Sequence, residues 1–363
     1  MSDSDFSPAD ILGAVLDAGT PLAQDIAGLT GTIFANRDAI RGLYTDDGAI
    51  TTIPDGLSPY ARVGASDGAH TINRMVIGDH ITTLALAITQ DSGDQPRLSL
   101  APPRSWSAVR PHCGDQGLLA AAVMMMDEQV LLAAFPPNTL GIIDGSHTSA
   151  VTAVASALAS FDPSVRDAII ARCADTDMIG IVAAAATNTD IVACPKSDSS
   201  TGLWDYAAQR LALTGPALPD KVVASIILNS AEALTSPEAT VTWDRFTSTV
   251  ARTTGQSAAY AGRLADAVQP LIDTPLRVTH VKPEGADIAI RVEMKGHTSP
   301  FTAADIVQAV ARDCYPPFVQ EPLTQYLADL AVKTIAPAGD ALMAIARLDT
   351  PEHHDALLRR YRT

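Results

Sequence analysis

Cysteine is scarce. Cys113, Cys173, Cys194 and Cys314 are the only four in 363 residues, and none forms a C-x-x-C pair. A disulfide framework and a zinc site built on such pairs are therefore excluded, and a reducing compartment is expected. Long apolar runs are missing too. The longest covers residues 117–126, well short of the roughly 20 residues needed to span a bilayer. Positive charge is sparse, with 25 Lys and Arg against 41 Asp and Glu, a formal net charge of −16 and a pI near 4.7. That argues against a generic nucleic-acid coat but not against an enzyme with one concave site, because net charge governs solubility and steering rather than local chemistry. The opening MSDSDFSPAD is acidic and polar, without the basic-then-apolar pattern of a secretory signal. The expectation is a soluble cytoplasmic protein that does not enter a membrane. Neither G-x-x-x-x-G-K-[ST] nor H-E-x-x-H is present, and no G-x-G-x-x-G opens a helix, so the P-loop, zincin and dinucleotide-binding readings fall away.

Hydrophobic residues make up 47% of the chain and mean hydropathy is +0.14. Disorder as the main state is thereby excluded and a sizeable core is possible. The length allows one large domain or two to three small ones, at roughly 100–200 residues per domain. Ser7, Pro8 and Asp10 make a helix start ahead of Ile11, Leu12, Val15 and Leu16 at helical spacing. Residues 25–44 continue as a second helix, and the turn-rich stretch 46–58 reads as a boundary loop. Residues 61–65 are a short strand candidate ending in Ser66-Asp67-Gly68. The β-rich runs 71–77 and 81–89 then make a meander around Gly78-Asp79. Residues 91–111 read as a polar, Pro-rich connection or edge. Residues 116–135 form an almost wholly apolar helix ended by Pro136-Pro137, and 139–143 a buried strand closed by Asp144-Gly145-Ser146. An Ala-rich helical stretch runs to Asn188, followed by the strand 190–194. Residues 202–262 read as mostly helical, 277–282 and 287–294 as strands, and 302–313 and 318–333 as closing helices. This order predicts one α/β domain with helical insertions.

Four acidic positions stand out by context. Asp67 and Asp144 each come directly after a strand candidate, whereas Asp127 and Glu128 interrupt a helix of Leu, Met, Val and Ala. An unpaired buried carboxylate costs several kcal/mol or takes up a proton. Those helix acids therefore need either a solvent face or a neutralising partner. Asp-Gly is also a common turn dipeptide, so Asp67-Gly68 and Asp144-Gly145 can be turns and nothing more. Together, carboxylates at adjacent strand ends and on a facing helix can bind hard divalent cations through oxygen. Two such ions about 4 Å apart can activate a water and stabilise a leaving oxygen in phosphodiester cleavage. Lys196, in a Ser-rich turn after a strand, can meet a phosphate oxygen. Arg291 and Glu293 alternate on one strand and face the same side, as a structural ion pair or as site residues. Asp329 lies inside an apolar helix with the same ambiguity as Glu128. Gly64-Ala65-Ser66-Asp67-Gly68 also matches the G-x-S-x-G nucleophile elbow, with His280 and His297 as candidate bases. Residues 71–89, next along the chain, read as strand, where an elbow requires a helix.

In order along the chain, these segments resemble the motifs of the NurA nuclease family. VGASDGA at 63–69 with NRMVIGD at 73–79 resembles the first motif, and GIIDGS at 141–146 the second strand-end aspartate. DIVACPKS at 190–197 is similar to the strand-then-lysine element, AIRVE at 289–293 to the late R-x-E strand, and CYPP at 314–317 with Ala328-Asp329 to the C-terminal element. The resemblance covers about residues 61–333. It implies an RNase H-like mixed sheet with helical insertions and N-terminal helices, divided into a partner-docking helical segment (1–45), a nuclease domain (46–340) with a helical insertion at about 202–275, and a tail (341–363). It implies a deoxyribonuclease dependent on Mn²⁺ or Mg²⁺, a homodimer around a DNA channel, and a HerA-like hexameric ATPase as partner in DNA end processing or phage defence. Asp67, Glu128, Asp144 and Asp329 would hold the metal, with Asp127 as the alternative to Glu128 and with Asp329 where the family often has histidine. Lys196 would face the scissile phosphate. Arg62, Arg74, Arg104 and Arg110 would have to cluster inward with it to make the channel positive. A non-catalytic adaptor of an ATPase ring is the alternative, and a serine hydrolase using Ser66 a further one.

Overall fold

The computed structural model describes residues 24–93, 96–236, 241–274, 276–296 and 301–335, with residues 341 and 345. The expected first helix and His297 lie outside the described residues, as does most of the expected C-terminal tail. Two helices open the described chain, α1 (24–35) and α2 (Arg37–Asp46), parted at Asn36. The strands are β1 (Ile50–Thr52), β2 (Arg62–Arg74), β3 (Asp79–Asp91), β4 (Leu98–Leu100), β5 (Arg104–Arg110), β6 (Thr139–Ile143), β7 (Ile191–Ala193), β8 (Glu232–Thr235), β9 (Arg277–Lys282) and β10 (Ile290–Met294). The remaining helices are α3 (Gln116–Ala133), α4 (Ser149–Leu158), α5 (Pro163–Asp175), α6 (Met178–Thr187), α7 (Gly202–Leu211), α8 (Asp220–Ile227), α9 (Asp244–Val250), α10 (Gly255–Asp273), α11 (Ala303–Arg312) and α12 (Leu323–Ile335).

All ten strands join one mixed sheet in the order β1-β8-β9-β10-β7-β6-β2-β3-β4, with β5 also on β3. At its centre β2 pairs antiparallel with β3 along its whole length and parallel with β6, and β6 runs parallel to β7. A long antiparallel hairpin beside parallel strands, in an α/β chain, is the RNase H-like arrangement. Helices cover both faces. Leu119, Val123 and Met126 of α3 are fully buried with residues of α4, α5, α6, α9 and α10. At about 1.5–3 kcal/mol per fully buried side chain, this layer is the main driving force for one half of the molecule. α3 is long and apolar enough to cross a membrane by composition alone, yet most of it is enclosed by protein. The opposite face packs Val63, Ala65, Leu140, Ile142 and Val292 against Ile306 and Val310 of α11. Leu86 and Ile88 pack there against Ala328 and Val332 of α12.

Several segments differ from the sequence reading. β2 is continuous through Asp67-Gly68, so this dipeptide is not a turn and Asp67 does not end the strand. The parallel ladder with β6 does stop at Ser66↔Ile143, which leaves Asp67 beside Asp144 as the first residue beyond it. β1 lies in the expected boundary loop and β8 in the expected helical insertion. They pair with each other, and β8 also with β9, at the far edge of the sheet. The edge segment 91–111 contributes β4 and β5 to β3. Ile33 of α1 and Ile40 and Tyr44 of α2 are buried with residues of α7 and α8, so the start of the described chain is part of the body of the fold.

Candidate active site

Asp67, Asp144 and Lys196 lie at or just beyond the carboxyl ends of the parallel pairings of β2, β6 and β7. At this edge the parallel strands β6 and β7 end while β2 runs on to Arg74, and open α/β sheets place their ligands outside the carboxyl ends of such strands. The turn after β6 needs Gly145, whose φ is +118°, a conformation costly for any side chain. On β2, Gly68 is required for space, because a Cβ there would collide with Glu128 Oε1 and Met124 Cγ. The missing side chain lets α3 lay the Glu128 carboxylate against the strand next to Asp67.

From the opposite face α12 brings Gln325 and Asp329. Gln325 Nε2 donates to Asp144 Oδ1 at 2.9 Å and to the Cys194 carbonyl at 3.0 Å, tying the ends of β6 and β7 together. Asp313 accepts from the Thr324 amide at 3.1 Å and its hydroxyl at 2.6 Å, which fixes the start of α12. Lys196 Nζ stands among three carboxylates: Asp144 at 2.9 Å, Asp329 at 3.6 Å and Glu321 at 3.7 Å. Asp329 also pairs with Lys333 at 2.8 Å.

Negative charge exceeds positive here, and the protonation equilibria reflect it. Burial and the Asp144 charge push Asp67 up to about 7, against the opposing pull of the Gly68 amide and Lys196. Burial, then Asp67, Asp144 and Asp127, drive Glu128 well above the usual carboxylate range. Burial raises Glu321, aided by Asp144 and Asp329 and opposed by Lys196. For Asp329 burial acts upward but is outweighed by Lys333 and Lys196, so its value falls. Burial works against charge on Lys196, yet Asp144, Glu321 and Asp329 hold its ammonium above the ordinary value.

The geometry separates the two helix acids. Asp127 points away from the cluster and accepts from Arg104 at 2.7 Å and from Arg172 at 2.7 and 3.0 Å. It belongs to a buried structural ion pair, and Glu128 is the acid beside Asp67. Arg291 and Glu293 pair at 3.1 Å within a buried polar network. Arg291 also reaches Asp198 at 2.8 Å, while Glu293 accepts from Ser146 Oγ at 2.7 Å. The network thus ties down the loop of Lys196 and the turn of Asp144 without entering the cluster. Ser66 is fully buried within the continuous strand β2, its hydroxyl without a hydrogen-bond partner among the described residues, so the G-x-S-x-G match is not a nucleophile elbow. His280 is likewise buried, 3.4 Å from Asp198.

The arginines that a positive channel would require each have a local partner. Arg62 pairs with Asp91 at 2.8 Å, Arg74 with Asp79 at 3.9 Å and Arg104 with Asp127 at 2.7 Å. Arg110 donates to the Ser164 carbonyl at 2.7 Å. Glu321 and Gln325 escaped the sequence reading. The signal for Gln325 was its place four residues before Asp329 and eight before Lys333, a polar stripe on an otherwise apolar helix that Glu321 precedes.

The donor set is all oxygen and rich in carboxylates, two of them raised by burial and then by their acidic neighbours, and this suits a hard divalent ion. The acids surround the centre rather than converging on it. Among the described residues no three His, Cys, Asp or Glu side chains close on one point, and Lys196 is the resident cation.

Comparison with solved structures identifies the fold. The NurA nuclease from Sulfolobus solfataricus superposes with a TM-score of 0.58 at 10% identity, covering 92% of this chain and 98% of that one. A NurA structure bound to dAMP and manganese gives 0.54 at 11% identity, covering 93% and 99%. A NurA structure with manganese gives 0.52 at 10% identity, covering 90% and 99%. No protein-family model and no curated protein matches the chain in sequence.

Proposed function

From the fold shared with the NurA nucleases, we propose that this chain is a metal-dependent deoxyribonuclease. The observation that carries the reading is the gathering of Asp144 and Asp329 around Lys196, with Asp67 and Glu128 beside them, at the carboxyl ends of the parallel strands. The manganese and dAMP bound in solved NurA proteins support it. Asp67, Asp144 and Asp329 would hold Mn²⁺ or Mg²⁺, with Glu128 completing the shell or orienting the water. When bound, such ions supply an activated water and stabilise charge on the phosphate and leaving oxygen. Lys196 would meet a non-bridging phosphate oxygen as a point charge. Gln325 and the Arg291–Asp198 network would keep Asp144 and Lys196 in place through the reaction.

Arg62, Arg104 and Arg110 are engaged by Asp91, Asp127 and the Ser164 carbonyl, which leaves Arg74 as the most exposed of the four. This engagement favours delivery of DNA by a partner, for which a HerA-like hexameric ATPase is our choice, with a homodimer as the working form and end processing or phage defence as the setting. The cytoplasm is the compartment proposed, in keeping with four free cysteines. A non-catalytic adaptor is the second reading, favoured by Lys196 standing among the acids. The test is to incubate labelled linear single- and double-stranded DNA with the protein in Mn²⁺ or EDTA, with and without a HerA-type ATPase and ATP. Mn²⁺-dependent degradation supports the nuclease. No degradation in any arm supports the adaptor.

A further inference from the structure

We propose that Glu321 is a positioning residue of the site, which holds the Lys196 ammonium when a divalent cation takes over Asp144 and Asp329, so that lysine and cation compete for the same carboxylates. This rests on the metal-dependent reading of the site. Lys196 is fixed at its backbone, whereas its tip is held by ion pairs alone. Two residues beyond it, Asp198 is fixed by Arg291 at 2.8 Å, His280 at 3.4 Å and Ser200. The Lys196 carbonyl accepts from Lys221 Nζ at 3.1 Å. The backbone is therefore pinned on both counts, while the side chain remains 39% exposed and is the part that can shift from one carboxylate to another.

That side chain uses the oxygens a hard cation needs. Its ammonium is closest to Asp144, at 2.9 Å, and 3.6 Å from Asp329. An ammonium and a divalent ion cannot both bind the same carboxylate oxygens, because like charges repel and each oxygen has few lone pairs. Asp329 has a second cation in Lys333 at 2.8 Å, whereas Glu321 has its ion-pair partner in Lys196, at 3.7 Å. Glu321 is thus the acid onto which Lys196 can shift without leaving the site. Its place is fixed, because Pro322 comes next and the first turn of α12 is anchored on Asp313. Held there, Lys196 keeps its charge beside the centre, available to a phosphate.

The competition is measurable without any cleavage. Mn²⁺ affinity is determined by isothermal titration calorimetry for the full chain and for Lys196→Met, Glu321→Gln and the double variant, with Glu321→Asp as the conservative control. Lys196→Met is expected to bind Mn²⁺ about five-fold more tightly, the scale of one half-exposed ion pair. Glu321→Gln is expected to bind roughly three-fold more weakly, since Lys196 then rests on Asp144 and Asp329 alone. Glu321→Asp should recover most of that loss. In the Lys196→Met background, Glu321→Gln should change affinity by less than about two-fold, because the interaction runs through the lysine. Two results overturn the proposal. One is an unchanged or weaker affinity in Lys196→Met. The other is a Glu321→Gln loss that persists in the double variant, which would make Glu321 a direct ligand. Absence of Mn²⁺ binding in every form, Lys196→Met included, would instead overturn the metal-dependent reading, and this proposal with it.

Discussion

Replacing Asp67 with asparagine removes a charge that the fold opposes, so the variant should be more stable than the parent at alkaline pH. Asp67 titrates at about 7 in the folded protein, against 3.8 as the ordinary value. The folded state therefore holds a proton that the unfolded chain has released between those two pH values. Stability attributable to this group is full below about pH 4, declines as pH rises through 7, and stays low above it. Three pH units set a ceiling of about 4 kcal/mol. Solvent reaches the half-buried carboxylate and screens it, so about 1–2 kcal/mol is the expected gain for Asp67→Asn above pH 7.5. For a chain of this size that is roughly 1–3 °C in melting temperature. At pH 5.5 the gain should be about half as large. Thermal unfolding monitored by circular dichroism in EDTA, at pH 5.5 and pH 8, checks both numbers. A variant that melts below the parent at pH 8 would refute the reasoning, because it would mean that the fold stabilises the Asp67 charge.

The packing sets three further outcomes. Gly68→Ala drives a Cβ into Glu128 Oε1, so it should lower stability by about 1–3 kcal/mol in urea denaturation and impair any cleavage by displacing Glu128. Asp127→Ala leaves Arg104 and Arg172 unpaired against a 1%-exposed position and should cost about 3 kcal/mol. Glu128→Gln, by contrast, should leave stability unchanged or slightly raised while removing cleavage; equal effects of the two on urea midpoints would show that the division between them is mistaken. Arg291→Met should destabilise by about 3 kcal/mol, since Asp198 and Glu293 lose a buried partner. Stability unchanged in that variant would contradict the anchoring role given to the network.

The strands and helices that carry strong local patterns are legible in the sequence. The α3 helix, β6 with its Asp-Gly turn, β7 before Lys196 and the β9–β10 pair are all where apolar runs and turn residues put them. β2 reads as two pieces because Gly64, Asp67 and Gly68 disfavour strands locally. Pairing on both sides overrides that preference, since strand identity depends on neighbours. β1 and β8 are three and four residues long and exist as strands through their partners. Asp67, Asp144, Lys196 and Asp329 stand out in sequence as strand-end or helix acids and a loop lysine. Their meeting depends on β2 lying beside β6 and on α12 crossing β2, which no local pattern contains. The same holds for Asp127 against Glu128, settled by which side of α3 faces Arg104 and Arg172. Glu321 is silent in the sequence because its partner Lys196 is distant along the chain.

The carboxylates within β2, at the end of β6 and on α3 should cleave DNA with a divalent ion. The direct measurement is the rate of Mn²⁺-dependent cleavage of end-labelled DNA by the parent protein beside Asp67→Asn, Glu128→Gln and Asp144→Asn, each with its melting temperature determined. A HerA-type ATPase and ATP are included in parallel reactions. The expected result is cleavage by the parent, none in EDTA, and a loss of at least about 100-fold in each variant while all three remain folded. Cleavage that persists in folded Asp67→Asn and Asp144→Asn, or that is indifferent to EDTA, would contradict this assignment.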